Sequence, residues 1–189
     1  MRFIETALPG VTLIEFAPIV DTRGYFVRTF CAREFAAHDL NPDVAEACLS
    51  FNAMRGTLRG LHFQSHPAME DKLVRCARGR MFDVMVDIRL GSPTFGRWVG
   101  YELSEDNNLQ LYAAKGFAHG FQALTDDVLV SYQMAQVYEA ERSAGILWDD
   151  PDIGVAWPLP PERLSPRDQG LPFLKDVAHE LLMPFAERQ

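Results

Sequence analysis

The chain has 189 residues, enough to bury a sizeable core without disulfides. Its formal charge of −8 argues against broad nucleic-acid binding, though a few local Arg and Lys residues can still hold one anionic small ligand. No run approaches the ~20 apolar residues of a membrane span, and the first ten residues lack the basic-then-apolar pattern of a secretory leader.

In chain order the pattern is one of short apolar segments punctuated by turns. Residues 10–16 and 24–30 read as strands separated by the turn-forming Asp21-Thr22-Arg23-Gly24. Residues 33–38 suit either a short helix or a surface connector. Residues 57–64 form a strand, and the proline-bearing 65–71 a loop. Residues 72–77 and 81–89 flank Arg78-Gly79-Arg80 and are expected to form a hairpin. In its second arm Phe82, Val84, Val86 and Ile88 share one face. Met81, Asp83, Met85 and Asp87 share the other, which suits a solvated side or a mixed, partly apolar pocket. Further strands fall at 98–103, 109–113, 120–124 and 128–137, with turns rich in Asp, Asn and Gly between them. Prolines recur from 149 to 172, as in a segment that wraps a sheet rather than joins it. Residues 174–186 suit an amphipathic helix despite Pro184.

Many short strands at near-regular spacing predict one mostly-β domain over residues 1–189, an antiparallel sandwich, jelly roll or small barrel. Cys31, Cys48 and Cys76 are an odd number without metal-like or redox-like spacing, which fits reduced thiols in a cytoplasmic protein.

The chemistry-bearing stretch is Leu58-Arg59-Gly60-Leu61-His62-Phe63-Gln64. Strict alternation sends Arg59 and His62 to opposite faces. Glycine within a strand often marks a bulge, and a bulge at Gly60 shifts the register so that both point into one cavity. Beyond it, Lys72, Asp83, His119 and Tyr132 are polar residues set in apolar strands. Each alone has an ordinary structural reading: a snorkelling lysine, a turn histidine, a strand tyrosine. Together they supply a base that works near neutral pH, a carboxylate to orient it, donors for an enolate oxygen and a phenol to return a proton. Ligand spacing for a metal is poor: position 64 is Gln and His66 sits in a loop, although His62, His119 and a carboxylate could still converge.

Thr57-Leu-Arg-Gly-Leu-His-Phe-Gln64 followed by Lys72-Leu-Val-Arg-Cys76 resembles the signature of the dTDP-4-dehydrorhamnose 3,5-epimerase family. So do Asp83-Val-Met-Val-Asp-Ile-Arg89 with Ser92-Pro-Thr-Phe-Gly96, and Gly116-Phe-Ala-His-Gly-Phe121. Trp148-Asp-Asp-Pro151, Trp157-Pro158 and Leu164-Ser-Pro-Arg-Asp168 continue the series in family order. The resemblance implies a cupin-type jelly roll (a double-stranded β-helix) with a few short helices. It also implies a homodimer whose N-terminal strands pair across the interface, and an epimerase of nucleotide-linked 4-keto-6-deoxyhexoses needing neither metal nor cofactor.

By the same resemblance His62 is the base and Asp168 its partner. Lys72 steadies the enolate, Tyr132 is the general acid and His119 a second pocket histidine. Arg59 and Arg23 match groups that hold the diphosphate, as guanidinium forks suit phosphate oxygens. Phe26, Arg28, Gln64, Asp83, Tyr138 and Arg167 complete the expected substrate-binding set.

There are departures. Arg28 stands where the family usually has glutamate, and Ala47, Leu49 and Phe51 where residues that help bind the base are read. Lys115 replaces a proline, and Gln133 a lysine. The losses at 47, 49 and 51, with the new charge at Arg28, point to a nucleotide other than dTDP. A sugar-nucleotide 3,4-ketoisomerase and a non-catalytic nucleotide-sugar binding protein are the alternative expectations, the first discriminated by product NMR and the second by ligand binding without solvent hydrogen exchange.

Overall fold

The computed structural model describes residues 1–185. Two antiparallel sheets face each other as a jelly roll. One has six strands in the order β1 (Arg2–Glu5), β2 (Val11–Glu15), β10 (Leu109–Ala113), β7 (Lys72–Arg78), β12 (Val128–Met134) and β5 (Glu46–Asn52). The other has five, in the order β13 (Ser143–Gly145), β6 (Leu58–Gln64), β11 (Phe117–Ala123), β8 (Arg80–Asp87) and β9 (Trp98–Ser104). A separate two-stranded ribbon, β3 (Ile19–Asp21) with β4 (Gly24–Phe26), and the short helices α1 (Ala32–Ala36) and α2 (Pro166–Gln169) complete the framework.

Three apolar layers hold these elements. Between the sheets lie Leu13, Val74, Met81, Met85, Leu111, Phe121 and Val130, contributed by alternate positions of facing strands. The outer face of the five-stranded sheet (Leu61, Phe63, Val84, Val86, Ile88) is covered by Ile146, Ile153, Leu174, Val177 and Leu182. On the outer face of the six-stranded sheet, Ile14, Leu73 and Tyr112 pack against Phe35 of α1. Both faces of β8 are therefore buried. Asp83 and Asp87 are fully enclosed rather than solvated, so the mixed-pocket reading of that face is the correct one. Asp87 accepts from Arg89, Ser92 and Thr94.

Two expectations are corrected. Residues 72–77 and 81–89 do not form a hairpin: β7 pairs with β10 and β12, whereas β8 pairs with β9 and β11. Gly79, at φ 76°, turns the chain from one sheet into the other. Val74 and Cys76 then meet Met81 and Met85 across the sandwich instead of side by side.

Nor is there a C-terminal α-helix among the described residues. Residues 174–185 form 3-10 turns at Leu174–Asp176 and His179–Leu181 and otherwise run along the sheet. Their backbone groups are taken by neighbouring loops: His66 N–H donates to Leu181 C=O, Leu90 N–H to Met183 C=O, and Phe185 N–H to Leu90 C=O. Ala186, the last residue of the expected helix, lies outside the described residues. β1, β3, β5 and β13 have no counterpart among the predicted strands, and β4 stops at Phe26, short of residue 30. No helix is long and apolar enough to cross a membrane among the described residues.

Candidate active site

The site begins with the irregularity in β6. His62 lies opposite His119 of β11, and Arg59 opposite Phe121. His119 and Phe121 are two apart and share a face, so their partners, three apart, must share it too. The extra residue is accommodated at Gly60, whose φ of 131° is open to glycine but strained for other residues. Arg59 and His62 thus both face the sandwich interior, while Leu61 and Phe63 keep to the outer core.

Two histidine–carboxylate pairs result. His62 Nε2 lies 2.6 Å from Asp168 Oδ1. Asp168 is brought there by α2, whose N-cap Ser165 accepts the Asp168 N–H. Burial acts to raise the Asp168 pKa. The His62 bond and charge, the Gly60 N–H and Ser165 together outweigh it and hold the carboxyl below its ordinary range. His119 Nε2 lies 2.7 Å from Asp83 Oδ1, and both side chains are buried. Burial lowers the His119 pKa despite the attraction of Asp83, and the charges of Lys72 and His62 lower it further. At neutral pH the His119 ring is uncharged. The other oxygen, Asp83 Oδ2, has no hydrogen-bond partner among the described residues.

The six-stranded sheet supplies the opposing wall. Tyr132 of β12 packs edge-on to His119, with ring centroids 5.9 Å apart. Burial and the Asp83 charge push its phenol pKa up, while Arg59 and a bond with Ser50 pull the other way. Tyr132 therefore keeps its proton through the physiological range. Lys72 opens β7 on the interior parity of Val74 and Cys76, its Nζ 3.2 Å from Glu70 Oε1. Arg59 Nε donates to Asn52 Oδ1 of β5 at 2.8 Å.

Sequence reasoning missed Ser50, Asn52 and Glu70. Ser50 and Asn52 belong to a strand that had not been identified. Glu70 sits in the loop before β7, where only its spacing of two from Lys72 hints at a pairing.

Not every expected residue gathers here. Arg23 is turned onto Asp21 of its own ribbon, and Arg28 onto Glu34. Phe26 is 68% exposed on that ribbon, and none of the three meets the site through a described polar or ring contact. Gln64 is used by the fold: it donates to Ala68 and Val137 carbonyls and accepts the Glu139 N–H. All three of these bonds are to backbone groups of the fold. Tyr138 is exposed beside that loop, its N–H held by Glu46. Arg167, next to Asp168 on α2, donates to Ser143.

The reading of β5 is corrected by one residue. Cys48 is the cross-strand partner of interior-facing Tyr132, so Glu46, Cys48, Ser50 and Asn52 face inward. Ala47, Leu49 and Phe51 face outward, and all three are exposed. The substitutions that pointed away from dTDP at 47, 49 and 51 do not line this site. Among the described residues no three His, Cys, Asp or Glu side chains are grouped as a metal-ligand set. A groove of about 610 Å³ at the β1 edge, lined in part by Phe3, Pro9, His38 and Arg89, includes none of the site residues.

A family model described as dTDP-4-dehydrorhamnose 3,5-epimerase matches residues 5–176. The dTDP-4-dehydrorhamnose 3,5-epimerase of Sinorhizobium fredii is 43% identical over 178 residues, covering 94% of this chain and 91% of that protein. Among solved structures, the dTDP-6-deoxy-D-glucose-3,5-epimerase of Legionella pneumophila, in complex with dTDP-4-keto-L-rhamnose, superposes with a TM-score of 0.94 at 37% identity, covering 98% of both chains. A 3'-monoepimerase from Streptomyces bikiniensis in complex with dTDP-quinovose gives a TM-score of 0.87 at 33% identity, covering 96% of this chain and 92% of that one.

Proposed function

This chain belongs to the dTDP-4-dehydrorhamnose 3,5-epimerase family, and we propose that it inverts both C3 and C5 of a dTDP-linked 4-keto-6-deoxyhexose with His62 as base and Tyr132 as acid. It is an isomerase, a nucleotide-sugar epimerase of deoxysugar biosynthesis. The observation that carries the residue assignment is that His62 and Tyr132 project from opposite sheets. A sugar ring between them is addressed on both faces, as inversion of a carbon requires.

The C3 and C5 hydrogens are acidic because each is alpha to the C4 carbonyl. Asp168, held ionised, accepts the His62 Nε2–H and leaves Nδ1 as the lone pair that removes the proton. Negative charge then develops on the C4 oxygen. His119 is uncharged and donates its Nε2–H to Asp83, which leaves Nδ1 without a proton to offer. The oxyanion therefore falls to the Lys72 ammonium. Tyr132, kept protonated by burial, returns a proton from the far side. Two passes through this cycle invert two centres. The cycle as drawn uses no metal or cofactor. Arg59, at the mouth of the site, suits a diphosphate oxygen.

Arg23, Phe26 and Arg28 enter this reading through a homodimer. The β3–β4 ribbon exposes Ile19, Val20, Tyr25 and Phe26 at 65–76%, and an isolated two-stranded ribbon is marginal in water. Docked on a second copy, it buries those side chains and delivers Arg23 and Phe26 to the neighbour's site. The three cysteines are free thiols, in keeping with a cytoplasmic enzyme.

The test is proton exchange in D2O, followed by NMR, with 4-keto-6-deoxyglucose on dTDP, CDP and GDP. Label at C3 and C5 with fastest exchange on dTDP is expected. Label at one carbon would make it a single-centre enzyme, a shifted ketone would make it a 3,4-ketoisomerase, and binding without exchange would leave a binding protein.

A further inference from the structure

We infer that Glu70 is a positioning residue for Lys72, fixing the ammonium so that its remaining N–H donors converge on the substrate's C4 oxygen. The inference rests on the reading of Lys72 as the group that meets the enolate.

Glu70 Oε1 and Lys72 Nζ are 3.2 Å apart, and the two side chains are 9% and 13% exposed. Glu70 Oε2 is buried and has no hydrogen-bond partner among the described residues. For stability alone this is a poor arrangement. Burying an ion pair costs desolvation of both charges, and a well-packed apolar pair is often as stable or more so. A carboxylate oxygen left unpaired adds to that cost. Groups kept on such terms are held by what they do.

Lysine is a compact charge on a flexible four-carbon stem with three donors. Unrestrained, the stem samples many rotamers, and catalysis by electrostatic stabilisation needs the donor in place before charge develops. Glu70 supplies that restraint from the wall of the fold. Because Oε2 is closed off, the carboxylate holds the lysine without touching substrate. The ion pair with Glu70, 3.2 Å long, anchors an ammonium that carries three donors in all.

The titratable groups around Lys72 are Glu70 from the preceding loop, Tyr132 two residues along the neighbouring strand β12, and His119 and His62 on the opposite sheet, with Asp83 bonded to His119. Glu70 is the group in direct ion-pair contact.

The experiment measures the exchange and epimerisation kinetics of dTDP-4-keto-6-deoxyglucose for wild type, Glu70→Gln, Glu70→Asp, Lys72→Met and the Glu70→Gln/Lys72→Met double variant. Glu70→Gln is expected to lower kcat about tenfold or more with KM within about twofold. Glu70→Asp should recover part of the lost kcat, and it keeps the test open should Glu70→Gln fold poorly. The double variant should be no slower than Lys72→Met. Wild-type kcat in Glu70→Gln would overturn the inference, as would a lowered melting midpoint with kcat unchanged. An inactive Lys72→Met beside a normal Glu70→Gln sinks the role of Glu70 alone, whereas a fully active Lys72→Met removes the reading of Lys72 and the inference with it.

Discussion

Gly60 and Gly120 approach so closely across the β6–β11 pair that a Cβ on Gly60 would lie 2.5 Å from the Gly120 Cα. That contact is what lets β6 carry its extra residue without leaving the sheet, and the extra residue puts Arg59 and His62 on one face. Gly60→Ala meets both a backbone clash and a strained φ. We expect it to cost about 2 kcal/mol or more in urea unfolding and to lose activity even under conditions where it is folded. A Gly60→Ala enzyme of native stability and rate would contradict this account of the bulge.

The acid and the base make separable predictions. Tyr132→Phe should still exchange the substrate's alpha hydrogens with D2O through His62, returning label with retention, while inverted product disappears. His62→Ala should lose both readouts, with kcat down about 10²–10⁴-fold. Asp168→Asn should resemble His62→Ala in rate because the amide no longer enforces the tautomer. Neither His62→Ala nor Asp168→Asn should unfold the protein. Full turnover by His62→Ala would remove the proposed base.

The exposed ribbon predicts the assembly. Ile19→Asp with Val20→Asp places two charges on the face proposed to meet a second copy. Sedimentation should show a dimer for the wild type and a shift to monomer for the variant. Activity should fall with it, since Arg23 and Phe26 would no longer reach a neighbouring site. A wild-type monomer with full activity would refute the shared-site reading.

Asp87 predicts an acid dependence of stability. Burial acts to raise its pKa, but Arg89, Ser92 and Thr94 outweigh burial and hold it below the ordinary carboxyl range. A carboxyl whose folded pKa lies below its unfolded one stabilises the fold fully above the unfolded value, near pH 4. That stabilisation is lost as pH falls through the folded pKa. Denaturant titrations from pH 6 to pH 2 should therefore show stability dropping below about pH 4, with a smaller drop in Asp87→Asn. Equal slopes for the two proteins would mean that Asp87 is not a source of the effect.

Residue pattern alone suffices for the mostly-β class and the positions of the long strands, because a period of two survives wherever one face is buried. It also singled out Gly60, since glycine inside an apolar strand marks a break in pairing that can be read locally. Resemblance to the family's motifs singled out His62, Lys72, Tyr132 and Asp168 as the expected catalytic set. Local pattern could not say which sheet a strand joins. The Arg78-Gly79-Arg80 turn suits a hairpin and a crossover equally well, and packing of Val74 against Met85 across the sandwich chose the crossover. The face assignment on β5 was likewise settled by the pairing of Cys48 with Tyr132, where a one-residue slip exchanges inside for outside. Residues 174–185 have the apolar content of a helix face, yet the sheet they cover and the loops that take their backbone hydrogen bonds hold them as two 3-10 turns with extended links. The 2.6 Å contact between His62 and Asp168 spans 106 residues, a distance over which spacing carries no information and only the folding of α2 onto β6 does.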